Sequence, residues 1–241
     1  MSERGRQAEA VVLLSGGVDS CVCAALAVRD FGAAKVAALH VSYGQRTEAR
    51  ESRSFTGVCD RLGIGKRMLL RSRVLREIGG SALTDESIAV PEVEEAREAN
   101  IGEEIPVTYV PFRNAHFLAA AVSWAEVVGA RKIYIGAVEQ DSSGYPDCRP
   151  AYYHAFNEVI RTGTREGEIE IVTPLIAMRK SEIVRLGLQS GAPFDLTWSC
   201  YSREDRACGI CESCVLRVRA FEAAGVIDPL PYAAQAVSSQ V

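Results

Sequence analysis

Four apolar residues, Val11 to Leu14, run directly into Ser15-Gly16-Gly17-Val18-Asp19-Ser20, and a helical pattern follows to about Phe31. Few folds accept that order. A buried strand, a glycine turn and a helix that opens inside the turn form the start of a strand–helix–strand unit, which commits the chain to a parallel sheet. The same turn is an anion site, because unpaired backbone N–H groups and the positive end of the helix dipole meet there. Two glycines let backbone approach a phosphate closely, the serines add hydroxyl donors, and Asp19 offers an oxygen to a Mg²⁺ ion bridging phosphates. Leu14, Ser15, Gly16, Gly17, Val18, Asp19 and Ser20 are therefore the candidate phosphate-binding residues.

The rest of the chain repeats the opening. Strands are predicted at Lys35 to Tyr43, Met68 to Leu70, Lys132 to Ala137 and Glu168 to Val172. Helices are predicted at Glu48 to Leu62, about Asn114 to Val128, near Tyr152 to Thr162 and Lys180 to Gln189, with a last one ending near Ala224. Alternation of this kind implies an α/β fold, a Rossmann-like doubly wound parallel sheet with helices on both faces. With 241 residues, 48% hydrophobic and 24% charged, the chain has material for one sizeable domain and an appendage. The pattern lapses between Ser81 and Pro111, where acidic residues and prolines show little periodicity. A stretch of that length reads as a functional loop or lid, or as a solvated excursion.

A net charge of -4 gives no general attraction for phosphate backbones, so a small substrate is expected and no nucleic acid. No segment approaches the roughly 20 apolar residues of a membrane span, and the first ten residues lack an apolar signal core, so the expected location is the cytoplasm. Of eight cysteines, Cys200, Cys208, Cys211 and Cys214 fall close together. In a reducing compartment such a cluster reads as metal ligation, and four thiolates close a tetrahedral structural Zn²⁺ site; an iron–sulfur cluster is the competing reading.

The glycine turn is neither a Walker A loop, lacking Gly-Lys-Ser/Thr, nor a GxGxxG dinucleotide fingerprint. It resembles the PP-loop of the N-type ATP pyrophosphatases (adenine nucleotide alpha hydrolase-like enzymes), which split ATP between its α and β phosphates. Further segments sharpen the match: Tyr43-Gly44-Gln45-Arg46, Val110-Pro111-Phe112-Arg113-Asn114, the run from Asp141-Ser142-Ser143-Gly144-Tyr145 to Pro146-Asp147-Cys148-Arg149, Thr173-Pro174-Leu175 with Lys180, and Trp198-Ser199-Cys200-Tyr201 before the remaining cysteines. In order and spacing these resemble the 7-cyano-7-deazaguanine synthases of queuosine precursor biosynthesis, over about residues 10 to 232. Val18 stands where that family often has glutamine, and Phe112 where it often has glycine.

The resemblance implies a PP-loop domain over residues 10–190 and a small C-terminal zinc-binding helical segment over 191–232, with residues 1–9 disordered and 233–241 a flexible tail. It implies that ATP is bound by the phosphate loop, with Mg²⁺ and Lys180, and that Asp19, Arg113 and Lys180 carry the catalysis. Tyr43, Gln45, Arg46, Arg113, Asn114, Asp141, Ser143, Gly144, Tyr145 and Asp147 are the implied substrate contacts. Arg46 and Arg113 would neutralise phosphate or carboxylate, although each also reads as a surface ion-pair arginine, and Lys180 as an ordinary helix lysine. Asp147 would accept the ring N–H and amino group of a guanine-like base, with Tyr145 stacked on it; the rival reading is a plain turn. His40, His116 and His154 need only structural roles.

The implied reaction converts 7-carboxy-7-deazaguanine, ATP and ammonia to the nitrile through an adenylated acid and an adenylated amide. A homodimer is the expected assembly. Rival readings are a PP-loop enzyme that joins the base to a protein amine, a tRNA thiolase, and a non-catalytic zinc-bearing binding module.

Overall fold

The computed structural model describes residues 8–93, 105–139 and 145–233. Five parallel strands, β1 (Ala10–Leu13), β2 (Val36–Ser42), β3 (Lys66–Arg71), β4 (Lys132–Ile135) and β5 (Glu170–Val172), form one sheet in the order β3-β2-β1-β4-β5. The register is fixed around the central strand: Val12 of β1 lies opposite Ala38 of β2 on one side and Tyr134 of β4 on the other.

Both faces of the sheet are covered, which is why β1 and β2 are buried throughout. Ala10, Val12, Val36 and Ala38 point to one face. There they meet α1 (Val18–Phe31), α2 (Glu48–Leu62), α6 (Lys180–Gln189) and α7 (Glu212–Ala224). Val11, Leu13, Ala37 and Leu39 point to the other, against α4 (Arg113–Val128) and α5 (Pro150–Gly163). On α4 the residues Leu118, Ala121 and Ala125 recur at helical spacing and are fully buried, small enough to bring the helix close to the sheet. The chain thus winds outward from β1 over one face and returns from β4 over the other. The direction reverses between β1 and β4, where open α/β sheets form their ligand crevice.

Several boundaries differ from expectation. β4 stops at Ile135 instead of Ala137, because Gly136 passes so close to α1 that an added Cβ would lie 2.7 Å from the Asp19 carbonyl carbon. A short helix, α3 (Val74–Ile78), follows β3 where none was predicted. Ala8 and Glu9 belong to the fold instead of a disordered leader, since their amides bond to Val128 and Lys35 carbonyls at 3.2 and 2.8 Å. Residues 1–7 and 234–241 lie outside the described residues.

The last third is an integral part of the structure. α7 packs beside α6; the loop between them carries Cys200, Cys208 and Cys211, and the first turn of α7 carries Cys214, all in a small core with Trp198 and Leu230. Among the described residues no helix is long and apolar enough to cross a membrane.

Candidate active site

The phosphate loop closes on itself by three short contacts. The Ser15 and Ser20 hydroxyls lie 3.0 Å apart, the Gly17 amide donates to Ser15 Oγ at 3.3 Å, and the Ser20 hydroxyl donates to the Gly17 carbonyl at 3.0 Å. Gly16 adopts φ +94°, and a Cβ there would meet Ser54 Cβ at 2.9 Å and the Glu51 carbonyl at 3.0 Å, so only glycine fits both the turn and the neighbouring helix. The start of α1 has no side-chain cap, which leaves its first-turn N–H groups for a ligand.

Asp19 opens this helix and meets Lys180, the first residue of α6, at 2.6 Å between Oδ2 and Nζ. Its Oδ1 is buried without a hydrogen-bond partner. That free oxygen fits a hard cation. A Mg²⁺ bound there would sit beside the phosphate cradle, and Lys180 would be released toward a phosphate oxygen.

A cavity of 310 Å³ extends from the loop across the ends of β1, β2 and β4. It is lined by Leu14, Ser15, Gly17, Val18, Asp19, Ser20 and Lys180 at one end and by Tyr43, Gln45, Arg46, Arg113, Asn114 and Tyr145 at the other. Most of the expected site is thus brought together. Arg113, the first residue of α4, lies 5.8, 5.7 and 5.9 Å from the Tyr43, Phe117 and Tyr145 ring centres. It donates to the Tyr43 hydroxyl at 3.3 Å and keeps its Nε unpartnered. No carboxylate among the described residues lies within ion-pair distance of it. A desolvated guanidinium with spare donors and aromatic walls is suited to hold an anionic, planar ligand.

Two of the expected contacts also carry structural bonds. Arg46 donates to three backbone carbonyls, Ala82 at 2.6 Å, Asp85 at 3.0 Å and Ile88 at 2.6 Å, so its fork ties down the segment after α3. Asp147 is 3% exposed and does not line the cavity. Its Oδ2 accepts the Asn114 amide at 3.1 Å at the start of α4, and its backbone carbonyl accepts the Asn114 side chain at 3.1 Å and the Tyr153 hydroxyl at 2.9 Å. Through Oδ2 it stabilises a helix terminus, while its Oδ1 is buried without a hydrogen-bond partner among the described residues. Asp141, Ser143 and Gly144 lie outside the described residues, as does the middle of the expected lid, 94–104. The described flanks of that lid are packed: Leu83 reaches the cavity, and Val93 donates to the Ile210 carbonyl at 2.8 Å beside the cysteines.

Other lining residues were not foreseen: Glu51, Thr47, Trp198, Tyr201 and Arg217. Glu51 was legible in part, since it shares a helical stripe of α2 with the buried Ser54, Phe55 and Val58. Burial pushes its carboxyl up to about 6, against the opposing bonds from Gln45 and Thr47. Cys148 also lines the cavity, but burial, with Asp147 nearby, pushes its thiol up to about 11, so it is no thiolate nucleophile near neutrality. His40 stays neutral: burial lowers its pKa, and Nδ1 lies 3.0 Å from the Leu14 carbonyl.

The four cysteine sulfurs all lie within 4.8 Å of one another. Tetrahedral Zn–S bonds of about 2.3 Å place sulfurs roughly 3.8 Å apart, and Cys208 and Cys214 stand at 3.9 Å. Sulfide ions at the corners of an iron–sulfur cluster would spread the ligands farther. Backbone amides of Ser202 and Cys208 approach Cys200 Sγ at 3.4 Å, and that of Cys211 approaches Cys208 Sγ at 3.3 Å, contacts that favour thiolates. Two residues before the first ligand, the Trp198 amide donates to the Gly16 carbonyl at 2.8 Å, joining the cysteine loop to the phosphate loop.

The family model described as "Queuosine biosynthesis protein QueC" matches residues 9–225. The chain is 68% identical over 231 residues to the 7-cyano-7-deazaguanine synthase of Koribacter versatilis, covering 96% of each chain. It is 67% identical over 228 residues to that of Acidobacterium capsulatum, covering 95% of this chain and 98% of the relative. Among solved structures, NMN synthetase from Francisella tularensis aligns over 91% of this chain and 88% of its own, at 14% identity and a TM-score of 0.47.

Proposed function

Because the chain belongs to the QueC family of queuosine biosynthesis enzymes, we propose that its cavity converts 7-carboxy-7-deazaguanine, ATP and ammonia to the 7-cyano base. The observation that carries this reading is the pairing, in one crevice, of a phosphate loop with its Asp19–Lys180 pair and an unpaired Arg113 among aromatic rings. The first end takes a triphosphate, the second a planar acid.

In this reading the substrate carboxylate, held against Arg113, attacks the α-phosphorus of ATP, and pyrophosphate leaves toward the loop amides and Lys180. Ammonia then displaces AMP and gives the amide. A second ATP adenylates the amide oxygen, and loss of AMP leaves the nitrile. Mg²⁺ held by Asp19 would supply charge neutralisation for the phosphates. The protein's share is positioning and electrostatic stabilisation of the charge that develops on the phosphates. Tyr43 remains a neutral donor or acceptor, since burial pushes its hydroxyl up to about 12.

The reading includes a Zn²⁺ ion on Cys200, Cys208, Cys211 and Cys214 that holds the 198–214 loop in place, and a cytoplasmic homodimer that requires no nucleic acid. Asp19→Ala tests it. The variant should fold, because the side chain is a partly exposed surface of the cavity, yet release no pyrophosphate from ATP and 7-carboxy-7-deazaguanine. Turnover at the unaltered rate in that variant would remove the phosphate loop from the mechanism.

A further inference from the structure

Amide formation needs a group to accept a proton from the attacking nitrogen, and the cavity holds few candidates. Among the described residues its lining contains two carboxylates, Asp19 and Glu51. Asp19 is engaged by Lys180 at 2.6 Å. Glu51 has no cation within ion-pair distance. Its Oε2 accepts from Gln45 Nε2 at 2.9 Å and its Oε1 from Thr47 Oγ1 at 2.8 Å. These neutral donors fix the carboxylate without cancelling its charge, and each oxygen keeps a further lone pair. Gln45 is itself locked, its Oε1 accepting the Tyr43 amide at 2.9 Å.

Location adds to this. Glu51 stands on the first turn of α2 with its backbone against Gly16 of the phosphate loop, so it flanks the place where the acyl phosphate forms. From the same lining Arg113 approaches with its unpartnered Nε. A carboxylate fixed by two neutral side chains, with the Arg113 guanidinium nearby but beyond ion-pair distance, keeps acceptor capacity for a ligand beside the anion cradle. It matches a small donor such as ammonia.

We propose that Glu51 is the residue that holds ammonia and takes its proton as it attacks, an assignment that rests on the functional reading above. The nitrogen lone pair forms the C–N bond to the acyl carbon of the adenylate. One N–H proton passes to a Glu51 oxygen, and the C–O bond to AMP breaks with its electron pair leaving on the phosphate oxygen. The products are the amide, AMP and protonated Glu51, which returns its proton to solvent. A carboxyl lifted to about 6 by burial is a better acceptor than an exposed one and is still ionised at pH 7.

The experiment separates the two halves of the reaction in Glu51→Gln, which keeps the side-chain shape, can still accept from Gln45, and can hold Thr47 if that hydroxyl turns to accept from the new amide. Substrate-dependent exchange of pyrophosphate into ATP reads adenylation alone, and amide plus nitrile yield by mass spectrometry reads the ammonia steps. Exchange should stay within a few fold of the unaltered enzyme, while kcat/KM for ammonium falls roughly 10²- to 10⁴-fold, the usual weight of a general base. Hydroxylamine, a stronger nucleophile that depends less on a base during attack, should still trap the adenylate as the hydroxamate. Glu51→Asp, with the carboxylate withdrawn by one carbon, should keep exchange and raise the KM for ammonium, which covers the case in which the glutamine variant fails to fold. Nitrile formation by Glu51→Gln at the normal rate would overturn the assignment, as would loss of exchange in step with loss of nitrile. Absence of exchange in the unaltered enzyme would overturn the parent reading and this one with it.

Discussion

Arg217 joins the C-terminal helix to the phosphate loop, and its replacement by Met has an effect that can be worked through. The Arg217–Asp228 pair is nearly dry, with side-chain exposures of 2% and 8%. Nε and Nη2 meet the two carboxylate oxygens at 2.7 and 2.8 Å, and Nη1 donates to Thr197 Oγ1 at 2.8 Å and Ser199 Oγ at 3.3 Å. Arg217→Met leaves the Asp228 carboxylate buried, with donors remaining, among the described residues, from the Leu230 amide and the Tyr232 hydroxyl. Breaking one side of a buried pair costs about 3–5 kcal/mol. At roughly 2–4 °C per kcal/mol for a chain of this size, that is a fall of about 6–20 °C in Tm. Adding Asp228→Asn should restore part of the loss, because no buried charge is then unpaired. Residues 197–199 would still be loosened in both variants, and the Trp198 amide holds the Gly16 carbonyl, so the KM for ATP should rise in both. Thermal unfolding with ATP titration reads the two effects. A single variant that loses under about 1 kcal/mol, or a double variant no more stable than the single, would refute the buried-charge argument.

Two further outcomes follow from the loop and the cysteines. Gly16→Ala should lose about 1–2 kcal/mol for the positive φ, and more for the approach of 2.9 Å to Ser54 Cβ; calorimetry should show ATP binding falling further than stability. The purified protein should contain about one zinc ion per chain on sulfur ligands alone, and Cys208→Ser should lower both metal content and solubility, whereas stoichiometric iron with visible absorbance would select the cluster.

The periodic and local parts of this molecule were legible before the structure. Apolar runs separated by helical patterns gave the parallel sheet, and a glycine turn after the first of them gave the anion site, because both are set by residues adjacent in sequence. The structural bonds of two expected site residues depend on partners far along the chain. Arg46 donates through Nε and Nη2 to the carbonyls of Ala82, Asp85 and Ile88, some forty residues away. Asp147 accepts the Asn114 amide where α4 begins. Glu51 was overlooked for the converse reason: a glutamate in the first turn of an exposed-looking helix is ordinary, and only the packing of α2 against the phosphate loop turns it toward the cavity. Arg217, hidden in a helix among other charges, carried no local sign of its buried partner.

A crevice that adenylates an oxygen twice on the way from acid to nitrile consumes two ATP for each product. The most direct test is the stoichiometry of a complete turnover: the enzyme with 7-carboxy-7-deazaguanine, MgATP and ammonium, followed by mass spectrometry for the base and by quantitation of AMP and pyrophosphate. Two AMP and two pyrophosphate are expected for each nitrile, with the amide as a transient that needs a second ATP to react further. A nitrile formed with a single AMP, or ATP split to ADP and phosphate, would contradict that stoichiometry.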